Sequence, residues 1–236
     1  MNNLTRDQFI QQVQGKLIVS CQALADEPLH GAAIMAKMAQ AAQMGGACAI
    51  RANSPQDVAA IKQAVHLPVI GLYKTDHELV YITPAIEHAL AIVEAGADVV
   101  AIDATLRQRP TADTIREIIE AVHARGKLIL ADVSTLEEAQ SAQLSGADLI
   151  APTLSGYTSY SPQLDGPDYA LIQAMVQTLH IPVIAEGRIR TPREARLALD
   201  YGATAVVVGS AITRPQMITE TFVQGIQKKD LTNTIS

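Results

Sequence analysis

Four Gly-Ala pairs set the rhythm of this chain: Gly46-Ala47, Gly96-Ala97, Gly146-Ala147 and Gly202-Ala203. They lead into the apolar runs CAIRA, DVVAIDAT, DLIAPT and TAVVVGS, and the glycines at 46, 96 and 146 keep a constant step. Interleaved with them is a second series: GKLIVSCQ from Gly15, HLPVIGLYK from His66, GKLILADV from Gly126 and HIPVIAEGR from His180. Eight strand-like runs thus alternate with helix-length segments through 236 residues, without a linker. Each strand-plus-helix unit takes a few tens of residues, and eight of them close into a barrel of about 250. The expected architecture is a single (β/α)8 TIM barrel, one domain over residues 1–236, with its working surface at the C-terminal ends of the strands.

The strand segments LIVS, ACAI, PVIGLY, DVVAI, LILADV, DLIA, PVIA and AVVVG are continuously apolar. Strands of a parallel sheet covered by helices read this way because both faces are buried. Helix starts are also marked. Thr191-Pro192-Arg193-Glu194 is a capping box with proline at the first helical position. Ser54-Pro55 and Thr83-Pro84 repeat the polar-then-proline start, and Thr135 with Glu138 forms a further box. The glycine of each Gly-Ala pair suits the left-handed end of a helix. A leading helix at about 5–14, boxed by Thr5 and Gln8, is placed to cover the barrel floor. A doubly wound dinucleotide fold would need GxGxxG after an early strand, and the chain has none. The one long irregular connection, residues 152–166 (PTLSGYTSYSPQLDG), has the length of a functional loop and is read as a substrate-covering lid.

A net charge of −6, with no basic stretch longer than Lys228-Lys229, argues against a nucleic-acid surface. The opening MNNLTRDQFIQQVQ lacks a signal-peptide core and no run approaches membrane-spanning length, so a cytoplasmic protein without a membrane partner is expected. Cys21 and Cys48 read as small buried thiols, and the six histidines are scattered without zinc spacing. Neither a disulfide nor a metal site is expected. His66 and His180 precede strands and are expected at the N-terminal end of the barrel.

The strand ends carry the chemistry. Gln22, Arg51, Lys74, Asp103, Asp132, Thr153, Glu186 and Gly209-Ser210 follow the eight runs in order. One charged residue past a strand is commonly a solvated loop residue. Six chargeable or amide groups at equivalent positions converge on one cavity if the sheet closes. Gly187-Arg188 after the seventh strand and Gly209-Ser210 after the eighth match the usual phosphate-binding loops of such barrels, where backbone N–H groups approach the anion. Arg188 and Arg214 can add charge-assisted contacts.

In order along the chain, IVSCQ, AIRA, GLYKTD, AIDAT, ADVST, TLSGYT, AEGR and VGSAITRP resemble the N-acetylmannosamine-6-phosphate 2-epimerase family over about Leu17 to Pro215. The resemblance implies an isomerase of bacterial sialic acid and amino-sugar breakdown. Such an enzyme interconverts N-acetylmannosamine 6-phosphate and N-acetylglucosamine 6-phosphate without a cofactor, as a homodimer. It assigns Lys74 and Glu186 to catalysis and Gln22, Arg51 and Asp132 to the sugar. Gly187, Arg188, Gly209, Ser210 and Arg214 fall around the phosphate, and Thr153 and Tyr157 are further expected substrate contacts. One departure is visible: the family follows its lysine with arginine, where Thr75 stands here. Another phosphate-binding barrel isomerase or synthase is the nearest rival, because a fold alone does not define a site. A non-catalytic sugar-phosphate sensor is the rival from another class.

Epimerisation at C2 moves a proton off one face of a carbon and back onto the other. In the open-chain sugar C2 adjoins an aldehyde, so an enolate is accessible to a base, with an acid and oxyanion donors in support. Free lysine, with a pKa of about 10.4, is a poor base at neutral pH. Burial and a neighbouring Arg51 are expected to lower that value. Lys74 is read as the proton-exchanging group, Glu186 as its partner near C1 and C2, and Asp132 as an orienting group. A Schiff base from Lys74 to C1 is the alternative use of the amine.

Overall fold

The computed structural model describes residues 4–227, so Lys228-Lys229 lies outside the described residues. Eight strands follow in chain order: β1 Leu17–Cys21, β2 Ala49–Asn53, β3 Val69–Leu72, β4 Val99–Asp103, β5 Leu128–Asp132, β6 Leu149–Ala151, β7 Ile184–Ala185 and β8 Ala205–Val208. Between them run α2 Ala32–Met44, α3 Pro55–Ala64, α4 Ile86–Glu94, α5 Ile115–His123, α6 Leu136–Ser145, α7 Tyr169–Thr178 and α8 Pro192–Asp200. The leading helix is α1, Arg6–Val13, and two helices end the described chain, α9 Ser210–Thr213 and α10 Pro215–Gln227. All strand pairs are parallel, in the order β6-β5-β4-β3-β2-β1-β8-β7. A parallel bridge between Ile150 and Val183 joins the two ends, with Ile150 N–H donating to Pro182 O at 3.1 Å. The sheet thereby closes into a (β/α)8 barrel.

The fifty-residue repeat has a local cause. Gly46, Gly96, Gly146 and Gly202 hold φ of 95°, 98°, 106° and 95°, left-handed values that glycine adopts without a Cβ penalty. The alanine that follows sends its N–H back five residues: Ala47 to Ala42, Ala97 to Ile92, Ala147 to Ala142 and Ala203 to Ala198. This is the six-to-one hydrogen bond of a Schellman ending, and the alanine is buried each time. Side chains join in the repeat. Asp98 accepts the N–H of Val69 at 2.9 Å, and Asp148 accepts that of Ile129 at 2.8 Å. Gln43 and Gln143 likewise accept the N–H groups of His66 and His180, which are exposed just ahead of their strands.

The capping boxes at Thr5, Thr135 and Thr191 form as expected, and Ser54 caps α3 through Asp57 N–H at 3.2 Å. Thr83-Pro84 does not start a helix. Thr83 is fully buried at φ 47° and its hydroxyl accepts Tyr73 N–H at 2.9 Å. Helix α4 begins at Ile86, whose N–H is taken by Asp113 from the next loop at 3.0 Å. A tertiary acceptor captured the donor that a local cap would have served.

Strand side chains alternate between the barrel interior and the helix layer. Ile18, Ala49, Ile70, Val99, Leu128, Leu149, Ile184 and Ala205 share one cluster with Phe9 and Val13 of α1, which plugs the floor. The intervening Val19, Ile50, Val69, Val100, Ile129 and Ile150 pack instead with Met35, Val58, Ile92 and Ile118 of the outer helices. Cys21 lies in that outer layer as a free thiol, and burial pushes it up to about 12. Both cysteines are unpaired. Stepping by two up the inward parity leads to Ser20 and Gln22, Arg51, Lys74, Asp103, Asp132, Thr153, Glu186 and Gly209. The pleat itself aims the polar ring into the barrel mouth.

Gly71 sits on the outward parity of β3, where an added Cβ would lie 2.5 Å from Ile92 Cγ2, 3.0 Å from Ala97 Cβ and 3.1 Å from Val58 Cγ2. Gly71→Ala is expected to destabilise the fold by about 1–3 kcal/mol through overpacking, read as a lower urea midpoint. Gly225→Ala on α10, with open space around its Cβ, is the matched control that leaves the midpoint in place or raises it.

Candidate active site

The C-terminal mouth of the barrel holds a cavity of about 310 Å³. Gln22, Arg51, Lys74, Thr153, Tyr157, Glu186, Gly187, Arg188, Gly209, Ser210 and Arg214 all line it. Ser20, Tyr81 and Arg190 also line it, and the strand-end reading did not single them out. Ser20 hides inside an apolar run, although it is two residues before Gln22 and shares its parity. Tyr81 arrives by a fold-back after β3, where Lys74 and Ile82 form an antiparallel bridge. No sequence signal marks it.

Two members of the strand-end ring do not line the cavity. Asp103 is fully buried, accepting Thr105 N–H and Oγ1–H at 3.0 and 2.6 Å and pairing with Arg107 at 2.7 Å. Its charge is consumed locally by the loop after β4. Asp132 is also fully buried, behind Arg51. It reaches the cavity only through its partners, Arg51 and Thr153, whose hydroxyl donates at 2.6 Å.

Arg51 is the electrostatic centre. Its guanidinium, 1% exposed, donates to both oxygens of Asp132 at 3.0 and 2.5 Å and to Glu186 Oε2 at 2.8 Å. Burial alone would favour the neutral form, but the two carboxylates outweigh it and hold the arginine above its usual value. Lys74 is placed by its main chain, with its N–H donating to Asn53 Oδ1 at 2.8 Å. Burial, helped by Arg51 and Arg214, lowers its pKa to about 8. Glu186 moves the other way, up to about 7, through burial reinforced by Asp132 and opposed by Arg51 and Lys74. An amine and a carboxyl group brought together near neutrality can each change protonation at working pH, which proton transfer requires.

At the phosphate end of the sequence reading, Gly209 packs against Ser20 so closely that a Cβ would meet Ser20 Cβ at 3.3 Å. Thr213 fastens the adjoining α9 by donating to Ser20 O at 2.9 Å. Arg214 pairs with Glu27 at 3.0 Å. Gln22 donates to Ser20 Oγ at 2.9 Å, while its Oε1 is buried without a partner. Arg188 turns two donors toward main-chain oxygens of residues 152–166, Ser155 O and Gly166 O, the latter at 2.8 Å.

A closed (β/α)8 barrel whose C-terminal mouth gathers a lysine, a glutamate and several arginines places the chain in the TIM-barrel class. More specifically, the chain belongs to the family described as "Putative N-acetylmannosamine-6-phosphate epimerase", whose model matches residues 35–228. A relative from Caldanaerobacter subterraneus is 53% identical over 229 residues, covering 95% of this chain and 97% of its own length. One from Clostridium perfringens is 49% identical over 216 residues, covering 91% and 98%. Both carry the name "Putative N-acetylmannosamine-6-phosphate 2-epimerase". The solved N-acetylmannosamine-6-phosphate 2-epimerase from Clostridium perfringens superposes with a TM-score of 0.90 at 47% identity, over 91% of this chain and 95% of that one. The thiamine phosphate pyrophosphorylase from Pyrococcus furiosus, at 19% identity and a TM-score of 0.59, shares the fold alone.

Removing one partner of a buried ion pair leaves an uncompensated charge. Asp132→Ala is therefore expected to cost about 3 kcal/mol, toward the low end because Glu186 still pairs with Arg51, and urea unfolding measures the loss.

Proposed function

We propose that this chain interconverts N-acetylmannosamine 6-phosphate and N-acetylglucosamine 6-phosphate by exchanging the proton at C2, in the breakdown of amino sugars. The observation that carries the reading is the opening of Lys74 and Glu186 into one cavity, with pKa values displaced toward each other. Neutral Lys74 takes the C2 proton of the open-chain sugar, and protonated Glu186 supplies one from its own side. Arg51, immobilised by Asp132, offers a fixed cation for charge developing on the enolate oxygen. Asp132 acts as the orienting group for that arginine. Gln22, Thr153 and Tyr157 contact the sugar. Gly187 and Gly209-Ser210 with Arg214 receive the phosphate, giving the cavity its preference for a phosphorylated hexosamine. Arg188, expected beside them, instead turns its guanidinium to Ser155 O and Gly166 O.

We also propose that residues 1–236 act as one barrel domain in the cytoplasm, as a homodimer, with neither a nucleic-acid nor a membrane partner. No helix among the described residues is long and apolar enough to cross a membrane. Helix α10 leaves Met217, Phe222, Val223 and Ile226 exposed, an apolar face suited to a second copy of the chain.

Turnover in deuterated water is expected to place deuterium at C2, and an epimerised product without label overturns the mechanism. Lys74→Ala is expected to lose about 10²–10⁴-fold in rate with the fold retained. Near-normal activity in that variant removes the lysine from the chemistry. Borohydride with substrate should fail to trap the lysine, since trapping would reveal an imine.

The pH profile follows from the same two groups. With neutral Lys74 and protonated Glu186 as the working pair, kcat/KM rises with pH while the lysine loses its proton. It levels between about 7 and about 8, then falls as the acid ionises. In Glu186→Gln the alkaline fall should vanish, and residual activity should climb to a plateau at or above about 8. A retained alkaline limb assigns that limb to another group.

A further inference from the structure

The connection between β6 and α7 covers residues 152–168, and its long irregular part, 152–166, carries two residues of the cavity wall, Thr153 and Tyr157. Loops of this length hold one shape only when side chains tie them down. On one flank Tyr160 Oη–H donates to the buried Glu138 Oε1 at 2.5 Å, and Thr158 Oγ1 lies 3.1 Å from Ser134 Oγ. At the base Ser155 Oγ donates to Asp168 Oδ2 at 2.7 Å.

On the opposite flank a single side chain spans both legs of the loop. Arg188 Nε donates to Gly166 O at 2.8 Å, near the exit of the loop, while Nη1 donates to Ser155 O near its entrance. The guanidinium carbon also lies 5.9 Å from the centroid of the Tyr157 ring, within cation–π range. Gly156 lies directly under the guanidinium, where an added Cβ would displace the end of the Arg188 side chain. The backbone supplies an independent sign. Arg188 holds φ 55°, a left-handed conformation that a non-glycine residue adopts only at a cost. The cost is borne where the side chain faces two main-chain oxygens across the loop.

We infer that Arg188 is a positioning residue: its planar fork buckles the two legs of residues 152–166 together and so sets Thr153 and Tyr157 in the cavity wall. Through Thr153, which donates to Asp132, the buckle also bears on the Arg51 network. Lysine is a poor substitute, because an ammonium on a flexible stem cannot hold two carbonyl oxygens in fixed directions. This role rests on the epimerase reading only in supposing that Thr153 and Tyr157 face substrate.

The test compares Arg188→Lys with wild type in three measurements: amide hydrogen exchange, binding of inorganic phosphate, and steady-state kinetics. The positioning role predicts exchange in residues 154–166 faster by about tenfold or more, as local opening becomes easier. Phosphate affinity is unchanged, because the guanidinium serves Ser155 O and Gly166 O and not the anion, and kcat falls by about 10–100-fold as the wall moves. Phosphate binding weakened with loop exchange at the wild-type level makes Arg188 a direct anion ligand and overturns the proposal. Arg188→Gly guards against a folding failure, since glycine accepts φ 55° without strain, and it should fold with the loop deprotected. A protected loop in that variant also overturns the proposal. Absence of epimerase activity in the wild type would refute the functional reading but leave the exchange result standing.

Discussion

A buried guanidinium held between two carboxylates organises the barrel mouth. Arg51 lies under the cavity with Asp132 on one side and Glu186 on the other. Such an arrangement is costly unless every partner is present, because each buried charge depends on the others for its solvation. It also sets the chemistry around it. Arg51 stands among the influences lowering the Lys74 pKa, and it opposes the burial that raises that of Glu186. One fixed charge therefore contributes both to holding the strand ends together and to shifting the pKa values of Lys74 and Glu186.

The pleat explains why that charge could be placed at all. Inward positions of the strands are apolar in their lower layer, where Phe9 and Val13 of α1 seal the floor, and polar in their upper layer. The lower layer supplies the hydrophobic burial that drives closure, and the upper layer uses the closed ring. The same division separates two rhythms along the chain. Gly-Ala pairs and the Asp98 and Asp148 side chains stitch the bottoms of the units together, away from the chemistry.

Much of this was legible in the residues, and the failures have physical reasons. Strand and helix order, the capping boxes at Thr5, Thr135 and Thr191, and the glycine-closed helices rest on local geometry. Thr83 does not cap the helix that starts three residues on, because its hydroxyl accepts the Tyr73 N–H instead. Asp103 matched the ring by position, yet Thr105 and Arg107 satisfy it within its own loop. Tyr81 left no trace, since its route into the cavity depends on an antiparallel bridge formed only when the loop after β3 folds back.

The sequence alone determined which residues are strands, where helices begin and end, and which parity of each strand ends in a chemically capable side chain. Those features depend on alternation and capping, which act over a few residues. Tertiary structure alone decided which of these groups meet. Arg51 finds Asp132 81 residues away and Glu186 135 residues away, a pairing that arises when the sheet closes on itself. Whether an inward side chain faces substrate, a neighbouring charge or a main-chain oxygen depends on the width of that closed ring, and no short-range pattern encodes it.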